Sequence, residues 1–542
     1  MKTVSVVKDN YRGLRFSYTI GIFIFLYALV LYIFTLTKNW SDDAISYAYM
    51  TKLADNIFSA ALYHPHHLLY SAVGFIAYKT ITVFLHCTNV LFILQTLNSI
   101  LAASTLVAFF VLLRSVGINN FLSFLFCIGL SFTHTFWFCA TDVEPQMAPL
   151  TFYILAIILL VKIDKTRFAY LYSFIIGLFC AMTVLLHQSS ALFCLSILIG
   201  FFLFLQSRKR YICVVLYLMS ATIITTSVYL AVAIHIYGIK KIEEFIHFVT
   251  YYHYINIAGL RFFTPANFIR GIYTLFKIML YMPLTSIRGF LESPFSFYGL
   301  LNITVILLTG FVYVVSFASL FKEQLPSMQK NLKIISISWF SIYLIYININ
   351  EAPYFIEQYL NVLLPLWIIF AILSNSLYLR VNSKKIFYAT MATFILFLFL
   401  WNYFIFARAS ADIRNNTRYK NAVMWKGKSL PGDIFLTFSW NPYFEYFAQR
   451  KVIKIGNYFP NRAEYFKAYN LRLKRRIDKE LKKGSNIYLL GLDVVLESQH
   501  VQDYLRKVSK TCTVANIENF FSRYNLNPIE TEFGMVYKIE TR

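Results

Sequence analysis

The chain runs to 542 residues, 58% of them hydrophobic, 19% aromatic and only 14% charged, with a mean hydropathy of +0.58. Both a soluble globular chain and a disordered one are excluded by that balance, because too few polar residues remain to face water. The formal net charge of +24 does not point to nucleic acid, since a polytopic membrane protein spends Lys and Arg on its cytoplasmic loops and on anionic headgroups.

The first apolar run, FSYTIGIFIFLYALVLYIFTL from Phe16 to Leu36, has the roughly 20 residues a helix needs to cross a hydrocarbon core of about 30 Å. It is too long for a cleavable signal and no A-x-A site follows, so it reads as an uncleaved first span. Further runs lie near 89–113, 118–138, 148–163, 168–187, 190–206, 211–236, 299–321, 334–349, 359–379 and 386–407, which makes about eleven spans. Lys2, Lys8, Arg12 and Arg15 precede the first span, and Arg114, Lys162 to Arg167, Arg208 to Arg210, Lys322 to Lys333 and Arg380 to Lys385 fall on alternate connections. These are the expected cytoplasmic loops, which places the N-terminus inside and, with an odd number of spans, the tail outside.

In that topology the acids sort by side. Asp9, Asp164 and Glu323 face the cytoplasm, whereas Asp42, Asp43, Asp55, Asp142, Glu144, Glu243, Glu244, Glu292, Glu351 and Glu357 fall on the outer side. Acidic residues contribute little to topology signals, so a site at the outer interface is the better reason for the bias.

The outer loop 37–88 carries NWSDDAISYAY, Asn39 to Tyr49, where Asp43, Tyr47, Thr51 and Asp55 recur every four residues. That spacing puts them on one face of an interfacial amphipathic helix. YHPHHLLY follows as the start of a second interfacial helix, with Pro65 in its first turn. Its His64, His66 and His67 invite a zinc reading, but H-x-H-H has no metal spacing of its own and needs ligands, expected as carboxylates, from elsewhere. ATDVEPQMAPL brings Asp142 and Glu144 to the outer end of the third span, where they serve to bind an acceptor, to hold a divalent ion, or to cap the fourth span; capping suits Glu144. His187 in LLHQSSAL ends the fifth span, positioned either to touch a phosphate or sugar or to be satisfied by neighbouring helices.

The long outer segment 237–298 supplies Lys240, Lys241, Arg261, Arg270, Lys277 and Arg288. Any one of them suits a lipid headgroup; as a group they suit a lipid phosphate. Within it, 272–287 reads as interfacial because Lys277 and Pro283 interrupt the apolar run. From about residue 408 the composition changes. DIFLTF, KVIKIG and NIYLLGLDVV read as short strands, with the amphipathic helix RAEYFKAYNLRLKRRIDKELKKG between the last two. The seven cysteines form no disulfide framework and no C-x-x-C site.

These residues together resemble the GT-C class of polytopic glycosyltransferases, particularly the lipid A aminoarabinose transferases and protein O-mannosyltransferases. Asp43 with Tyr47 is similar to the class's first-loop D-x-x-x-Y, while matching DD to its DE selects Asp42 instead. HPHHLLY stands where relatives carry a PPL turn, with His66 in place of the second proline. TDVEP matches the second acidic position, and EQYLNVLLP, Glu357 to Pro365 with Tyr359, resembles R-Y-x-x-x-x-x-P with Gln358 in place of Arg.

The expectation is therefore a polytopic α-helical membrane protein, GT-C-like over 1–407, with a C-terminal soluble α/β domain over 408–542. The resemblance implies inverting transfer of a hexosyl or pentosyl group from a polyprenyl-phosphate donor to a glycolipid, polysaccharide or protein acceptor at the outer face of a bacterial inner membrane. In that reading Asp43 or Asp42 is the general base; Asp142 and Glu144 serve acceptor or metal; Arg261, Arg270, Lys277, Arg288 and His187 meet the donor phosphate; Tyr47, His64, His66, His67, Glu357 and Tyr359 support. No cofactor is fixed, and a divalent metal ion is the one candidate. The rival is a transporter or lipid-linked sugar flippase, which calls for midplane ionisable residues on broken, repeated helices that the sequence does not display.

Overall fold

A computed structural model describes residues 2–205, 208–257, 264–284, 286–320, 324–349, 355–438, 441–460, 463–499, 501–502, 505 and 511–542. They form two compact units, one of Met1–Thr37 with Met50–Ala411 and one of Lys38–Tyr49 with Asp412–Arg542.

The first unit is all helix. Among the described residues eight helices are long and apolar enough to cross a membrane, from Val90–Ser115 to Lys384–Ser410, and a bent pair makes a ninth. The expected spans all fall on helices, but Tyr18–Phe34 and Gln188–Phe204 are shorter than the rest. The expected third span is broken: Asn120–Ser131 and His134–Thr141 meet at 67°. Breaking a helix in an apolar layer exposes backbone polar groups that must find partners inside the protein. Asn402 supplies them, donating to the carbonyls of Phe132 (2.7 Å) and Met279 (2.8 Å) and accepting the Tyr281 N–H (2.8 Å). Met279 and Ile278 carbonyls in turn accept the N–H groups of His134 (3.0 Å) and Thr135 (3.1 Å).

The segment read as interfacial, 272–287, begins within the helix Pro265–Lys277, which is started by Pro265 and by the Thr264 hydroxyl accepting the Asn267 N–H. The 13 residues of that helix rise only about 20 Å, short of the hydrocarbon core. Gly271 lets it approach Ser327–Ile349, since a Cβ there would lie 2.1 Å from Asn348 Oδ1.

The second unit is a five-stranded mixed sheet of order β2-β1-β3-β5-β4. Strands β1 (Ile434–Thr437), β2 (Lys451–Lys454) and β3 (Ile487–Leu490) are the three read from sequence, and they pair in parallel around a fully buried β1. The amphipathic helix Phe466–Lys482 makes the crossover from β2 to β3 and buries Leu473 and Ile477. Strands β4 (Tyr524–Thr531) and β5 (Gly534–Thr541) form a hairpin joined antiparallel to β3 through Ile487↔Ile539. The sequence reading missed it: Pro528 argues against a strand, and is tolerated because β4 lies on the edge.

Candidate active site

The paired aspartates open the helix Asp42–Leu53, whose first turn favours negative charge, and the Ser41 hydroxyl accepts the Ala44 N–H at 3.0 Å. Residues 38–49 belong to the second unit, and its side chains hold them. Asn416 donates to the Lys38 carbonyl (2.7 Å), the Tyr443 hydroxyl donates to the Trp40 carbonyl (2.6 Å), and the Trp40 ring packs on Tyr419 and Phe447. Arg418, stacked over the Tyr443 ring, donates to Asp42 at 2.6 Å.

The two acids thus differ. Asp42 is ion-paired, whereas among the described residues Asp43 has neither a salt bridge nor a hydrogen bond to its carboxylate. Asp43 is solvent-exposed, yet the protein crowded round it and then the Asp42 charge push its carboxyl above the ordinary carboxylate range. Tyr47 follows one turn on, half-buried. The four-residue polar face is shorter than expected: the helix ends at Leu53, which leaves Asp55 beyond it, and Thr51 is buried.

In the first unit, Asp142 and Glu144 are both buried at the end of the bent pair. Their backbone is set from the helix Val90–Ser115: Asn98 donates to the carbonyls of Asp142 (3.0 Å) and Glu144 (2.9 Å), and the Tyr70 hydroxyl donates to Asn98 Oδ1 (3.0 Å). Gln95 donates to the Thr141 and Thr37 carbonyls, both at 2.8 Å. Glu144 stands at the N-cap of the short turn Pro145–Met147 that opens the span Pro145–Lys162, the position expected for it, though without a side-chain capping bond. The turn Ile356–Tyr359, with its half-buried Glu357, packs against the helix His134–Thr141 that leads to Asp142 and Glu144. Tyr359 is fully buried and its hydroxyl donates to the Gly271 carbonyl at 3.4 Å.

The histidines converge from two elements. The Pro65 carbonyl accepts the Tyr229 hydroxyl (2.7 Å), the His66 carbonyl accepts the Gln188 N–H (2.8 Å), and the Leu185 carbonyl accepts the Leu69 N–H (2.9 Å). These bonds dock the His64–His67 turn on the end of the helix Ala169–Leu186, where His187 begins the next turn. Ring centroids then lie 4.4 Å apart for His66 and His67, 4.7 Å for His66 and His187, and 4.5 Å for His67 and His187. His64 is positional: its Nδ1 accepts the His66 N–H at 3.3 Å. The ligands expected as carboxylates are thus replaced by one imidazole, His187. Its Nδ1 meets the Ser189 hydroxyl (2.7 Å) and its Nε2 the Gln146 amide nitrogen (2.5 Å), while Gln146 Oε1 accepts from Asn361 (3.2 Å). Tyr343 donates to the Ser189 carbonyl (3.1 Å) and Tyr153 to the Ser190 hydroxyl (2.6 Å), which extends the polar chain.

The described cations of 237–298 differ in environment. Arg270 is exposed, Lys277 is buried and desolvation pushes its ammonium down to about 8, and Arg288 is exposed and paired with Glu292 at 2.7 Å. Arg261 lies outside the described residues. Sequence reasoning missed Asn98, Gln146, Asn361 and Arg418. The first three carried a signal, since amides inside apolar runs are rare and usually bonded; Arg418 carried none, because its partner is 376 residues away.

No protein-family model and no curated protein matches the sequence. Solved structures do. ArnT from Cupriavidus metallidurans bound to undecaprenyl phosphate superposes with a TM-score of 0.57 at 10% identity, over 96% of this chain and 97% of that one. Its apo state gives 0.56 with the same identity and coverage. The apo oligosaccharyltransferase of Archaeoglobus fulgidus gives 0.52 at 12% identity, over 97% of this chain and 74% of that one. Both proteins are GT-C glycosyltransferases, and the fold of this chain is the GT-C fold, a polytopic helical membrane protein with a small C-terminal sheet.

Proposed function

We propose that the protein is an integral membrane glycosyltransferase that moves a sugar from a polyprenyl-phosphate donor to a hydroxyl-bearing glycolipid, polysaccharide or protein at the outer face of a bacterial inner membrane. The observation that carries this is the end-to-end likeness to an enzyme crystallised with undecaprenyl phosphate. At 10% identity that likeness supplies the architecture, and the roles come from this chain's own residues.

Asp43 is the general base. Arg418 neutralises Asp42, which leaves Asp43 as the carboxylate able to accept a proton, and its raised pKa matches it better to that task. As the acceptor oxygen bonds to the anomeric carbon its proton passes to Asp43. The bond from that carbon to the phosphate oxygen breaks with its electron pair, and the lipid phosphate leaves; one displacement inverts the centre. Arg270 and Lys277, seven residues apart on one helix, share a face and are the proposed phosphate contacts. Arg288 is weaker in that role because Glu292 occupies it. Asp142, Glu144 and Glu357 are the proposed acceptor group, with residues 1–407 as the catalytic domain and 408–542 as the extracytoplasmic α/β domain.

The test is a ligand-dependent thermal shift on the purified full chain in detergent. Undecaprenyl phosphate should raise the melting temperature and uncharged undecaprenol should not. An equal response to both lipids would remove the phosphate-recognition reading.

A further inference from the structure

We propose that His66, His67 and His187 are the protein ligands of one divalent transition-metal site of the zinc class. Each offers a ring nitrogen, and the three nitrogens lie within 4.8 Å of one another. In a tetrahedral zinc site, with metal–nitrogen bonds of about 2.0–2.1 Å, ligand nitrogens sit roughly 3.3 Å apart. Closing that gap calls for the rings to turn about their side-chain torsions. The backbone is already fixed, because the His66 carbonyl, the Pro65 carbonyl and the Leu69 N–H are each bonded to an element on the His187 side of the cluster or packed against it.

The supports a metal-bound imidazole needs are also present. A ligating histidine usually engages its other nitrogen in a hydrogen bond that orients the ring. His187 Nδ1 has the Ser189 hydroxyl at 2.7 Å, and His66 Nδ1 faces Gln188 Oε1 at 3.4 Å. Gln188 is itself anchored by donating to the Val249 carbonyl (2.8 Å). On metal binding the Gln146 amide exchanges its contact with His187 Nε2 for the ion. His67 and His187 are buried and His66 is half-exposed, so the ion reaches the site past His66.

A set of three imidazoles with no carboxylate selects zinc, cobalt or nickel over magnesium and calcium, which require oxygen. It leaves the ion's full double charge and a fourth position for water or an anion. This site does not depend on the glycosyl-transfer reading.

The experiment is a cobalt titration of the chelator-stripped full chain in detergent, followed by visible ligand-field absorption and elemental analysis. Expected are one cobalt per chain, tetrahedral-type bands, displacement by zinc, and indifference to excess magnesium. His66→Gln and His187→Asn should each weaken binding by about a hundredfold or more, while His235→Gln, at an exposed ring, should not change it. His66→Gln keeps the test valid should the buried His187 variant fail to fold. The proposal is overturned by the lack of stoichiometric binding, by bands of six-coordinate oxygen type, or by His66→Gln binding like the parent.

Discussion

Two adjacent carboxylates with the same side chain are not equivalent here, because one has a guanidinium at 2.6 Å and the other does not. Asp43→Asn should reduce sugar transfer by orders of magnitude, since Asn keeps the shape but accepts no proton; general-base catalysis is worth about 10² to 10⁴. Asp42→Asn should have a milder effect. A transfer assay with a polyprenyl-linked sugar separates them, and near-full activity in both variants would end the catalytic assignment. The pH dependence has a defined sign. The Asp43 carboxyl is raised, so its basic form is lost at a higher pH than an ordinary carboxylate's, and the acid limb of the rate profile shifts upward. For stability, a raised folded value means the folded chain holds this proton more tightly than the unfolded chain. That contribution is full below the unfolded value and disappears as pH rises through the folded one. Asp43→Asn should therefore melt no lower than the parent at neutral pH while losing activity. The sequence alone left the choice between Asp42 and Asp43 open, since helical spacing orients side chains but says nothing about a partner at position 418.

At the scale of elements, the broken pair Asn120–Ser131 and His134–Thr141 is supported by the Asn402 amide of a distant helix together with the backbone bonds to Met279 and Ile278. Asn402→Leu strands the Phe132 carbonyl and the Tyr281 N–H in an apolar layer and leaves the Met279 carbonyl with the His134 N–H alone, at a cost of about 1–3 kcal/mol. A chemical or thermal melt in detergent should show that loss, whereas Leu400→Ala, at a lipid-exposed position, should stay within about 0.5 kcal/mol. A melt of Asn402→Leu that matches the parent would mean that the break is satisfied some other way. Hydropathy located this run as one span but not its bend, because apolarity reports environment and not backbone continuity. The same limit applied to the loop helix, where a four-residue period was extended to Asp55 although the helix ends at Leu53.

For the whole molecule, the alternation of basic loops predicts opposite sides for Lys209 and Arg542, and reporter fusions at those positions check it. The same side for both would remove the outer clustering of acids on which the proposed location of the chemistry rests. What the sequence by itself determined was the class: apolar runs of spanning length, the basic loops between them and the strand pattern after residue 408 are local, one-dimensional signals, readable because each element's solvent dictates its composition. The identity of partners was decided only by the tertiary structure. Arg418 beside Asp42, Asn98 under the Asp142 and Glu144 backbone, and His187 against His66 and His67 join positions 376, 44 to 46 and about 120 residues apart. A side chain's chemistry depends on the charges and dipoles within a few ångströms of it, and over such separations that neighbourhood is set by how the helices pack, not by spacing along the chain.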